Sequence, residues 1–102
     1  MFARVSEIKA RPERLDAMHS EGVEHILPAL RMQEGFNGGL VLADRKSGKV
    51  LAVTFWESEQ AMEATEEAAH WLAAFGAEAA GGKLKDVERY EVFFAEVKGA
   101  QR

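Results

Sequence analysis

The sequence predicts an α+β fold: one four-stranded antiparallel sheet with two helices on one face, in the order β-α-β-β-α-β. Three observations lead there. Two apolar runs, "FNGGLVLAD" (36–44) and "VLAVTFW" (50–56), flank the turn-forming "RKSGK", which reads as a hairpin over 36–56. "VTFWESEQAM" (53–62) ends that hairpin on Trp56 and enters a helix with almost no loop. Two stretches of helical periodicity alternate with the strands.

Taken in order, "FARVSEIK" (2–9) is the first strand, with mixed alternation. "RPERLD" opens the first helix, Pro12 being tolerated in a first turn, and the helical pattern continues to about Gln33 before Glu34-Gly35 ends it. Pro28 lacks the N–H that would bond the Glu24 carbonyl, so a kink is expected near residues 24 to 28. In the second strand Gly38 and Gly39 suggest a bulge or a close backbone approach. Ser58 is a good N-cap for the second helix, with Glu57 and Glu59 at the positive end of its dipole. That helix should run unbroken from Glu59 to about Ala79. "GGKLKD" reads as a loop and "VERYEVFFAEV" (87–97) as the last strand. This order is the split βαβ arrangement of ferredoxin-like folds.

The strands carry a second message. A sheet covered on one face should alternate apolar and polar residues. "LVLA" and "VLAVTFW" are apolar on both faces, and Phe93 and Phe94 should point opposite ways. Two helices cover one face only. An open apolar face of this size is unusual in a monomer, so a homodimer packed face to face about a two-fold axis is expected.

Composition narrows the function. The chain has 102 residues, 47% of them hydrophobic, which suits a single domain over residues 1–102. With 13 basic and 17 acidic residues, a net charge of −4 and no long basic run, neither nucleic acid nor an anionic membrane is an expected partner. No cysteine is present, which removes thiolate chemistry and Cys-ligated metal and fits a cytoplasmic location. The N-terminal "MFARVSEIKA" lacks a signal peptide's apolar centre and reads as mature structure.

On a helical wheel Leu15, Met18, Gly22, Val23, Ile26 and Leu30 share an arc, with His19 near its middle and His25 at its edge. His19 is therefore either a core imidazole or a pocket acid/base. The two histidines are set too far around the helix to chelate one ion, and no metal site is expected. The alanine-rich second helix has an arc of Ala61, Thr65, Ala68, Leu72 and Ala79, implying either close approach to the sheet or a cavity beneath. His70 points away from that arc into solvent with no role expected, and Trp71 lies at its margin. Glu57, Glu59, Glu63, Glu66 and Glu67 read as a solvated charged surface.

The stretch "GFNGGLVLADRKSGKVLAVTFWESEQAM" resembles the antibiotic-biosynthesis-monooxygenase-like group of dimeric α+β barrel proteins. Its marks are a "GF" entering the second strand and a strand ending in W-x-S ahead of an amphipathic helix. The resemblance implies a cofactor-independent monooxygenase of small aromatic or polyketide-like substrates, with a homodimer around an apolar or aromatic ligand. The alternative is a non-catalytic dimer of the same fold, binding small molecules or related to stress. The family's haem-degrading branch uses a first-strand asparagine, with a tryptophan and a histidine on the second helix. Here Val5 and Ser6 occupy the strand, and Thr65 and Phe75 stand near the other two places, so haem degradation is not implied. Asn37, Trp56, Tyr90 and Arg4 match the residue types of the polyketide-oxidising branch, without a motif that places them. The pocket candidates are His19, Phe55, Trp56, Tyr90 and Asn37, with His19 the one catalytic candidate. Because W-x-S recurs as a fold signature, Trp56 reads as a plug at the strand–helix corner.

Overall fold

The structure, a computed structural model, describes residues 1–99. Strand β1 (Phe2–Lys9) is followed by a 3-10 turn (Pro12–Arg14), helix α1 (Leu15–Glu21), a π-helical turn (Gly22–Ile26) and helix α2 (Leu27–Arg31). Strands β2 (Phe36–Ala43) and β3 (Lys49–Trp56) form the hairpin, helices α3 (Glu59–Ala64) and α4 (Glu66–Ala79) follow, and β4 (Lys83–Glu91) closes the order. The sheet runs β2-β3-β1-β4 with every pair antiparallel. This is the ferredoxin-like α+β fold. No helix among the described residues is long and apolar enough to cross a membrane.

The helix-facing side of the sheet is fixed by the register Phe2↔Trp56, Arg4↔Thr54, Ser6↔Ala52 and Ile8↔Val50. Ile8 and Val50 pack with Leu15, Ala77 and Ala80, and Trp56 packs with Leu30, Met62 and Ala69. The small residues of α4 thus allow close approach at its C-terminal end. Gly81 and Gly82 end the helix in a Schellman arrangement: the Gly82 N–H bonds the Ala77 carbonyl and the Gly81 N–H bonds that of Glu78. Gly81 has φ +68, and a Cβ on Gly82 would lie 1.7 Å from the Lys9 carbonyl oxygen. Only glycine lets β1 come this close.

Two expectations need correction, and a third gains a cause. The first helix is interrupted where a kink was expected, by the π-helical turn over Gly22–Ile26. The Leu27 N–H reaches back five residues to the Gly22 carbonyl, so the added residue lets α2 start afresh with Pro28 in its first turn. There a missing N–H costs nothing. The second helix is not continuous either. Thr65 sends its hydroxyl back to the Ala61 carbonyl at 2.8 Å and the Met62 carbonyl at 3.3 Å, and the chain leaves helical geometry at that residue. Back-bonding of this kind bends helices.

The last strand lies earlier than expected. Lys83–Glu91 is the strand, because the glycine turn delivers the chain straight onto β1, and Val92 makes the final rung to the Met1 carbonyl. Phe93 and Phe94 lie past it and are 90% and 89% exposed, so they are not on opposite faces of a strand. Two-sided apolar character holds for β2 and β3. The sheet face away from the helices carries Leu40, Leu42, Leu51, Val53, Phe55 and Val5, while β4 contributes Glu88 and Tyr90 to it.

Candidate functional site

Strand alternation places Arg4 on the same side as Phe2 and Ile8, inside the helix–sheet layer, where it is 3% exposed. Its guanidinium lies 5.2 Å from the centre of the Trp56 ring. Its Nη2 donates to the Met62 carbonyl, within the last turn of α3, and to Glu66 Oε2 at 3.4 Å. The helix break at Thr65 puts Glu66 at the start of α4, above both arginines of the sheet. Arg89, directly opposite Arg4 across the β1–β4 ladder, also pairs with Glu66. Burial, and secondly the neighbouring Arg89 charge, push the Arg4 guanidinium down to about 10, so it stays protonated at neutral pH. Among the described residues, Arg4 Nε and Nη1 are buried and have no hydrogen-bond partner.

A cleft of about 510 Å3 opens over this group. Its floor is Arg4, Ser6, Val87 and Arg89 from the sheet, and its wall is Glu63, Ala64, Glu66, Glu67 and His70 from the helices. The alanines of the second helix give close approach at the C-terminal end of α4, whereas the cleft is walled by mostly exposed residues off the expected arc, with Ala64 its one alanine. Among the described residues no cluster of three or more His, Cys, Asp or Glu side chains is placed to hold a metal.

The sequence-derived candidates fall elsewhere. His19 is exposed, neither in the core nor in the cleft. Val23 had widened the apolar arc toward it, yet Val23 is itself 45% exposed, and the true buried stripe follows Leu15, Met18, Ile26 and Leu30. Phe55 and Tyr90 lie on the open sheet face, where Tyr90 donates to Glu88 at 2.9 Å. Asn37 is exposed against the Met1 sulfur. Trp56 is the corner plug: it is fully buried, meets Phe36 edge-on at 5.6 Å and donates Nε1–H to Thr54 Oγ1 at 2.9 Å. Of the five candidates it alone touches the cleft's machinery, through Arg4.

Sequence reasoning matched Arg4 by residue type without placing it, and missed Glu66 and Arg89 as site residues. Arg4 was legible as a cation between Phe2 and Ile8 on a buried alternation. Glu66 was grouped with a solvated acidic run; Glu57, Glu59, Glu63 and Glu67 are indeed exposed, but Glu66 is one-third exposed and bridges two arginines. His70 is exposed as expected, yet it stands on the cleft wall.

The model of the antibiotic biosynthesis monooxygenase family matches residues 1–77. The chain belongs to that family. Among curated proteins, an uncharacterised protein of Mycobacterium tuberculosis is 33% identical over 92 residues, which is 90% of this chain and 41% of that protein. The chain thus spans well under half the length of that relative. Solved structures of the same fold include the haem degrader MhuD of Mycobacterium tuberculosis, with two haems in its active site. It has a TM-score of 0.71 and 19% identity over 95% of this chain and 100% of that one. The ActVA-Orf6 monooxygenase of Streptomyces coelicolor, bound to nanaomycin D, has a TM-score of 0.65 and 16% identity over 97% and 92% of the two chains. At these identities the likeness is one of fold.

Proposed function

We propose that this family member is a cofactor-independent monooxygenase of a small aromatic substrate, with the helix–sheet cleft as its site and a two-fold homodimer in the cytoplasm as its working form. The observation that carries the reading is the cleft itself, which two arginines and an imidazole line beside apolar Val87 and Ala64. His70 replaces His19 as the base. An imidazole takes the proton of a phenolic or doubly activated methylene substrate, and the arginines stabilise the anion that forms. The anion supplies the electrons to O2. For an anthrone the ring methylene becomes a carbonyl. Both of its C–H bonds break, one atom of O2 enters the product, and the other leaves with the two hydrogens as water. Family membership supports the reaction class, and the open face of β2 and β3 supports the dimer.

Oxygen uptake with 1,8-dihydroxyanthrone tests the reaction. The wild-type protein should consume one O2 per substrate well above the spontaneous rate. His70→Gln should lower turnover roughly 100-fold while melting within a few degrees of wild type. Uptake no faster than in buffer would sink the oxygenase reading.

Haem is expected to remain intact. Thr65 is buried at the helix break with its hydroxyl committed to two carbonyls, and Phe75 brings no ring nitrogen. Titration with haem followed by reductant should leave the Soret band in place. Reproducible bleaching with release of iron would show that other residues replace the missing set.

A further inference from the structure

We propose that the cleft selects aromatic carboxylates, and that Glu66 is an internal carboxylate which the substrate's own displaces from Arg4 and Arg89. The inference rests on the reading of the cleft as the substrate site. Two like charges face each other across adjacent strands, Arg4 nearly without solvent, an arrangement unfavourable by itself. One carboxylate answers both. Its contact to Arg4 is long, at 3.4 Å, and its other oxygen pairs with Arg89.

A guanidinium has five N–H donors. Arg4 commits Nη2 to Met62 and Glu66, whereas Nε and Nη1 are buried with no partner among the described residues. Displacing Glu66 frees the Nη2 donor and Arg89 for a substrate carboxylate, and charge-assisted bonds of that kind are the strong ones. Glu66 is one-third exposed and sits at the first residue of α4, so it can swing to water without unpacking the core. Val87 and Ala64 supply apolar wall for the ring. Glu63 and Glu67 stand on the exposed rim, where solvent and salt screen them. Their charge disfavours a dianion such as a phosphate monoester more than a monocarboxylate.

Calorimetric titration of the full chain at low salt with 2-naphthoate, and with neutral 2-naphthamide of the same shape, tests this. Wild type should bind naphthoate about tenfold more tightly than the amide. Glu66→Gln should tighten naphthoate by roughly a further tenfold and leave the amide within about twofold, because the competing carboxylate is gone. Arg89→Gln, at an exposed position, should weaken naphthoate alone. Equal affinity for the two probes, binding of neither, or a Glu66→Gln variant that only melts earlier without gaining naphthoate affinity would each overturn the proposal. The readout is binding, so its failure is separable from that of the oxygenase reading. Absent oxygen uptake with both 1,8-dihydroxyanthrone and a carboxylated anthrone, alongside a clear naphthoate preference, removes the oxygenase alone; turnover with equal probe affinities removes this inference alone.

Discussion

Trp56→Ala is expected to lower stability by about 3–5 kcal/mol, the range for removing a buried large aromatic side chain. Trp56 is fully buried and lies in one cluster with Leu30, Met62 and Ala69, with Phe36 edge-on against it. Alanine leaves a cavity between α2, α3 and the sheet. It also strips the aromatic face from the Arg4 guanidinium and deprives Thr54 of the indole N–H. In a domain near 100 residues each kcal/mol moves the melting point by roughly 4–8 °C, so the midpoint should fall by about 12–40 °C. Trp56→Phe keeps most of the packing and loses the N–H bond and part of the ring, for about 1–2 kcal/mol. Denaturant unfolding measures both. A Trp56→Ala loss below about 1 kcal/mol would mean that the corner is held by something else.

Val53→Asp should abolish the dimer. Val53 sits at the centre of the open face, flanked by Val5 on β1 and Leu40 on β2. Within one chain it is only half-buried, so a carboxylate there remains hydrated and the monomer folds. Against a second copy the same carboxylate is taken out of water with no partner, at a cost of several kcal/mol in each subunit. Sedimentation at micromolar concentration should show wild type at twice the mass of one chain, and the variant at the mass of a single chain or aggregated. Wild type sedimenting as a monomer, or a Val53→Asp variant that still dimerises, would mean that this face is not the interface. Phe93 is a poor place for this test, because it lies beyond β4 and is already 90% exposed.

Element order, the hairpin, the Ser58 cap and the Trp56 corner were all readable in the chain, because each depends on neighbours within a few residues. Ser58 is the plainest case: its hydroxyl accepts from the Ala61 N–H at 3.0 Å, three residues on. The end of β4 was not readable. Local composition favours extending the strand through Phe93 and Phe94, whereas its length is set by the rungs of β1 and by the glycine turn that docks at Lys9. The burial of His19 failed for a related reason. A wheel weighs apolar residues equally, and Val23 drew the arc toward a histidine that the packed stripe leaves in water.

Fold and family are thus legible in the chain, since periodicity, caps and the W-x-S junction are local and mutually consistent. The site is not. Arg4, Glu66 and Arg89 are separated by 62 and 23 positions in the chain, and nothing local links them. Strand pairing brings the two arginines side by side, and the Thr65 break aims Glu66 at both. A charge's role depends on its solvent and its partners. Those are fixed by long-range packing, which no window of the sequence contains.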